Sequence, residues 1–140
     1  MERFVGFDVG KKRIGVAVSD PLGITAQPLK VVERNGQGSE WTSLKEVVDE
    51  YAPILAVIGL PLHMNGTEGE QAEAARLFAK TFSRKHPDIR VIFQDERFTT
   101  AASERMLIEA GVSRAARRKK RDVIAATLIL QTFLDSMKTR

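Results

Sequence analysis

The sequence predicts an α/β fold, a five-stranded mixed sheet flanked by helices, and three observations carry that expectation. The first quarter of the chain holds three short runs rich in Val and Ile, punctuated by turn residues. The remainder alternates amphipathic helical stretches with brief all-apolar runs of the kind buried on both faces of a parallel sheet. The chain has 140 residues, 43% hydrophobic and 29% charged, an ordinary globular composition long enough to bury a real core. No repeat, low-complexity tract or linker interrupts it, so a single domain over 1–140 is expected.

Residues 4–9 and 13–19 read as the first two strands. Gly10-Lys11-Lys12 between them is short enough for a hairpin, with the glycine at a positive-φ position. A third strand is expected over 26–33, before Asn35-Gly36-Gln37-Gly38 breaks the chain. Ser39 offers an N-cap for a helix to about Tyr51, with Trp41, Leu44, Val47 and Val48 at helical spacing. Pro53 ends that helix, and Ile54-Leu55-Ala56-Val57-Ile58-Gly59 follows as a buried strand. A second helix is expected over 68–85, with Ala72, Ala75, Phe78, Ala79 and Phe82 on one face. Val91-Ile92-Phe93 reads as the fifth strand, and two more helices, near 100–110 and 119–136, flank Gly111. Three strands in antiparallel meander followed by alternating helices and strands imply a mixed sheet. In open α/β sheets ligands sit beyond the carboxyl ends of the strands. Asp8, Gly59 and Asp95 all fall at such ends.

Charge narrows the class of partner. The net charge is +4, and Arg114 with Arg117, Arg118, Lys119, Lys120 and Arg121 puts six basic residues into eight positions. So dense a block suits phosphate contact, although a solvated helix start would look the same. There is no cysteine, which excludes disulfides, thiolate metal sites and thiol nucleophiles. Met1-Glu2-Arg3 leads straight into strand pattern with no apolar leader, and nothing approaches the roughly 20 apolar residues of a membrane span. A cytoplasmic protein without a membrane partner is therefore expected, and Asn65-Gly66-Thr67 is read as a turn.

Three acids stand out. Asp8 lies among apolar strand residues, where a carboxylate costs several kcal/mol unless it is paired or binds a cation; otherwise it would bond the backbone of the following turn. Gly6 and Gly10, two positions to either side, leave room for a phosphate or a solvated metal. Asp95-Glu96 follows directly on a buried strand, and Glu96 could instead pair with Arg97 or cap a helix. Asp122 stands between the basic block and the apolar stretch Val123–Leu130, where it could equally complement a helix dipole. Together the acids suit Mg²⁺ or Mn²⁺, which prefer carboxylate and water ligands. Such ions can activate water at a phosphodiester.

Other patterns carry less. Gly6–Lys12 has too few residues between its glycines for a phosphate-binding loop and no Ser or Thr after the lysine. His63 and His86 are isolated, and Ser19-Asp20 lacks the context of a nucleophilic serine.

Four ordered segments taken together resemble the YqgF/RuvX family, named for pre-16S rRNA nuclease and Holliday junction resolvase activity. They are Gly6-Phe7-Asp8-Val9-Gly10-Lys11-Lys12-Arg13-Ile14-Gly15-Val16-Ala17-Val18-Ser19-Asp20, Gly59-Leu60-Pro61-Leu62 with Asn65-Gly66-Thr67-Glu68-Gly69, Asp95-Glu96-Arg97-Phe98-Thr99-Thr100, and Asp122 through Gln131. The resemblance implies a ribonuclease-H-like fold and metal-dependent phosphodiester hydrolysis. It places the catalytic, metal-holding acids at Asp8, Glu96 and Asp122. Beside that, the basic residues Lys12, Arg13, Arg97, Arg117, Arg118, Lys119, Lys120 and Arg121 are expected to contact the substrate. The resemblance departs from a resolvase pattern in two places. The strand ending at Gly59 carries no acid, and Ala125 stands where a fourth carboxylate would be on the last helix. The implied substrate is precursor 16S rRNA. Branched DNA as the substrate, or nucleic-acid binding without catalysis, stays open, because phosphate contacts carry no sequence information. The protein is expected to be a monomer or a homodimer.

Overall fold

In the computed structural model, which describes residues 2–96, 111 and 113–138, the strands are β1 (Arg3–Val9), β2 (Arg13–Ser19), β3 (Ala26–Glu33), β4 (Pro53–Leu60) and β5 (Arg90–Asp95). The helices are α1 (Ser39–Tyr51), α2 (Glu70–Lys85) and α3 (Arg114–Lys138). The helix expected near 100–110 lies outside the described residues. The sheet order is β3-β2-β1-β4-β5. β1, β2 and β3 pair antiparallel, while β1–β4 and β4–β5 pair parallel, as the crossovers through α1 and α2 require. The mixed, helix-flanked sheet is the one the sequence patterning predicts.

Side-chain alternation decides what each face of the sheet buries. On β1, Val5 and Phe7 point into a core shared with Leu44 and Val47 of α1 and with Ala72, Ala75, Phe78, Ala79 and Phe82 of α2. The α2 face is the one its 3.6-residue period marks out. Phe7 is fully buried, with its ring edge-to-face on Phe78 and Phe82 at centroid separations of 5.6 and 5.3 Å. Phe4 points the other way, into a second core with Val57 and with Ala126, Ile129, Leu130 and Leu134 of α3. The sheet is therefore sandwiched, with α1 and α2 on one side and α3 on the other.

Several local expectations are corrected. Gly10 is not in the positive-φ region; its amide donates to the Arg13 carbonyl at 2.9 Å, and a Cβ there would lie 2.7 Å from that oxygen. It is close approach that calls for glycine. Gly6 makes room for α3, not for a ligand, since a Cβ would meet Leu130 Cβ at 2.8 Å. Ser39 is the first helical residue of α1, and the cap is Gly38 at φ 83°, with no side-chain cap bond. α1 ends on Ala52 in the left-handed region, its amide donating to the Val48 carbonyl, before Pro53 opens β4. α2 begins at Glu70, because Glu68 forms a β-bridge with Leu62 and its carboxylate takes two hydrogen bonds from Arg76. α3 begins at Arg114, so the basic block lies inside the helix. Asn65-Gly66-Thr67 is a turn, with Gly66 at φ 87° and Asn65 Oδ1 accepting from the Thr67 amide.

Candidate functional site

Asp8 follows Phe4 and Gly6 in alternation, so it stands on the α3 side of the sheet. Glu96 is two residues beyond Gln94 in the parity that puts Ile92 on that same side. Two glycines then bring the other components in. The Cα of Gly15, paired opposite Asp8 in the β1–β2 ladder, is so close to α3 that a Cβ would overlap the Asp122 carbonyl. This seats the helix with Asp122 beside the end of β1. A Cβ on Gly59 would lie 2.6 Å from Glu96 Oε2 and 2.5 Å from Ile129 Cδ1. The acid that β4 lacks is thus supplied from the end of β5, leaning over the glycine.

Asp8, Glu96 and Asp122 line one cleft of about 950 Å³, shared with Gly10, Lys11, Arg34, Glu40, Leu62, Gln71, Arg121 and Ala125. Burial, and then the charge of Asp122, pushes the Asp8 carboxyl up to about 7. Burial, and then Asp8 and Asp95, pushes Glu96 up to about 8. Among the described residues neither carboxylate has a hydrogen-bond donor or a cation beside it. Asp122 does, since Arg13 Nε donates to its Oδ2 at 3.0 Å.

The expected triad is therefore gathered into one cleft but not into a finished cage. Among the described residues no group of three or more His, Asp or Glu side chains stands close enough to hold a metal ion. Asp122 is turned to Arg13, and Ala125 offers only a methyl group. The donor set nonetheless suits a hard cation. Two carboxylates whose burial and mutual repulsion favour protonation would be relieved by a divalent ion with oxygen preference.

Of the basic residues named from sequence, Arg121 lines the cleft and Arg13 borders it through its ion pair. Lys12 is exposed and lies outside the lining, whereas Lys11 is part of it. Arg97 lies outside the described residues, as do the side chains of Arg117, Arg118, Lys119 and Lys120. Asp122 sits well inside α3, which has no acid in its first turn, so a dipole-capping role is overturned. Ser19 and Asp20 have structural partners: Ser19 Oγ accepts from the Phe4 amide, and Asp20 Oδ1 from the Ile24 and Thr25 amides. Sequence reasoning missed Arg34 and Glu40. They pair at 3.0 Å within the cleft, and six residues of irregular spacing gave no sign of it.

The family model described as RuvX, Holliday junction resolvase, matches residues 2–136. A relative from Moorella thermoacetica is 48% identical over 96% of each chain. One from Lactococcus lactis subsp. cremoris is 46% identical over 96% of this chain and 94% of its own. Both carry the name "Putative pre-16S rRNA nuclease". Among solved structures, the fowlpox virus resolvase bound to Holliday junction DNA superposes with a TM-score of 0.61 at 14% identity, covering 96% of this chain and 98% of its own. The T. thermophilus RuvC complex with a Holliday junction substrate gives 0.59 at 18% identity, covering 99% and 96%. At these identities the two structures show the fold, which is ribonuclease-H-like.

Proposed function

The chain belongs to the RuvX family, and from that premise we propose that it is a metal-dependent nuclease acting on precursor 16S rRNA. The observation that carries the reading is the cleft at the carboxyl ends of β1 and β5. There Asp8 and Glu96 stand half-buried without partners among the described residues, beside Asp122 and Arg121 of α3. Nucleases of this family use divalent metals. We assign Asp8 and Glu96 as the principal ligands, with Asp122 completing the set, and Mg²⁺ or Mn²⁺ as the ion. Such an ion neutralises charge on the phosphodiester and acidifies an attacking water.

The side chains divide the remaining work. Glu96, leaning over Gly59 beside Asp8, would with it hold the ion against the phosphodiester to be cut. Arg13 holds Asp122 in orientation and, with Arg121 and the block Arg117–Lys120, draws the polyanion to the α3 side. Asp8 and Glu96 would hold the ion, and Asp122 would join them on leaving its ion pair with Arg13. The same domain, residues 1–140, carries binding and chemistry, in the cytoplasm where ribosomal RNA matures. Among the described residues no helix is long and apolar enough to cross a membrane.

The decisive experiment offers labelled precursor 16S rRNA and a labelled four-way DNA junction side by side, with Mg²⁺, Mn²⁺ or chelator. Cleavage of the RNA with either ion, lost in chelator and in Asp8→Asn, is expected. Paired cuts in the junction and intact RNA would transfer the assignment to branched DNA. Binding of both with no cut under any ion would reduce the protein to a binding module.

A further inference from the structure

We propose that Arg34 is a phosphate-binding residue for the nucleic-acid strand, held ready by Glu40 of α1 in the cleft that Asp122 of α3 also lines. The inference rests on the reading of the cleft as a nucleic-acid site and adds a contact from outside α3.

Arg34 follows β3, and its side chain is 25% exposed. Its Nε donates to Glu40 Oε2 at 3.0 Å and its Nη1 to the Gly10 carbonyl at 2.9 Å. A guanidinium has five N–H donors. These two bonds leave three unspent among the described residues, on a side chain that lines the cleft. Glu40 is 5% exposed, and its second oxygen, Oε1, is buried with no hydrogen-bond partner among the described residues.

A pair of this kind is a poor device for stability alone. Desolvating two charges costs several kcal/mol, and apolar replacements of similar volume often do as well. Here one acceptor oxygen is left unsatisfied besides, which adds to the cost. What the arrangement does achieve is a fixed arginine fork. Arginine loses about 2 kcal/mol of side-chain freedom when ordered, and Glu40 and Gly10 impose that order before any ligand arrives. The fork suits two oxygens of one phosphate.

Its position fits a strand crossing the acids. Gly10 is two residues beyond Asp8, so the guanidinium is tethered to the turn that follows the strand carrying the central carboxylate. Next to it, Gly36 and Gly38 line the cleft without side chains, and a Cβ on Gly36 would meet nothing within 4 Å. A phosphate on Arg34 therefore has open space around it. Lys11 and Arg121, from two other elements, line the same cleft as Arg34 and the acids.

The competing account is that Arg34 only ties the β1–β2 turn in place, since its amide also donates to the Lys12 carbonyl at 2.8 Å. Salt dependence separates the two. A fluorescein-labelled single-stranded RNA spanning the 5′ precursor junction of 16S rRNA is titrated in chelator with full-length protein carrying Asp8→Asn, so that nothing is cut. The slope of log affinity against log salt falls by roughly 0.7 for each lost contact with a single strand. Arg34→Gln is expected to lower the slope by about that amount. Arg34→Lys, which keeps the charge but cannot make both tethering bonds, is expected to keep the slope. An unchanged slope in Arg34→Gln, or an equal loss in Arg34→Lys, overturns the inference and leaves the nuclease reading standing. If the parent protein binds no RNA at any salt, both fall together.

Discussion

Asp8 and Glu96 are carboxylates that the fold keeps protonated well above their ordinary range, at about 7 and about 8. The consequence for stability has a definite sign. A carboxyl whose folded-state value is raised binds its proton more tightly folded than unfolded. Its contribution is complete below the ordinary range near pH 4 and is lost as pH rises towards 8. Cation-free protein should therefore melt lower at pH 9 than at pH 5 through these two groups. Asp8→Asn removes one of them, and at pH 9 in chelator it should be more stable than wild type by on the order of 2 kcal/mol. Thermal melts of both proteins at pH 5, 7 and 9 check this, and a difference independent of pH would refute it. Saturating Mn²⁺ should narrow the gap, because only the wild type gains a ligand-bound native state.

At the level of elements, the seating of α3 on the sheet assembles the site. Gly15 admits the backbone at Asp122, and Gln131 fastens the helix further along, its side chain accepting from the Ala26 amide at 2.8 Å and donating to the Ile24 carbonyl at 3.2 Å. Gly15→Ala must push α3 away, since the clash is with backbone and no side chain can swing aside. Overpacking of this kind costs about 1–3 kcal/mol, and displacing Asp122 should cost cleavage more than stability. Urea unfolding beside a cleavage assay tests it; a variant with full activity and wild-type stability would show that the helix sits elsewhere. On the other face, Phe7→Ala would empty the contact with Phe78 and Phe82 and lower stability by about 3–5 kcal/mol by the same measurement.

Taken as a whole, the molecule carries a net charge of +4 with six basic residues in eight positions at the start of α3. Charge reversal in that block should act on binding to a polyanion more than on the fold. Lys119→Glu with Lys120→Glu is expected to weaken RNA affinity at least about tenfold at low salt and to flatten its salt dependence. The melting temperature should shift by no more than about 3 °C. Fluorescence anisotropy at two salt concentrations with a melt of each protein checks both parts.

The order of strands and helices is written in local periodicity, and so it could be read from the sequence alone. The β3 limits of 26–33 and the buried face of α2 are as the alternation and the 3.6-residue period predict. The candidate acids were legible too, because a carboxylate in an apolar strand or just beyond one violates the pattern around it. Only the tertiary structure decided how they meet. Asp8 and Glu96 share a face through strand parity and sheet order, and Glu96 fills the space that Gly59 leaves. Arg13 reaches Asp122 across 109 positions of sequence, and Arg34 finds Glu40 only because Gly38 turns the chain into α1 at positive φ. Local sequence fixes which residues are apolar and when the chain turns. Which side chains then face one another depends on contacts between elements far apart in the chain, and no local pattern encodes those.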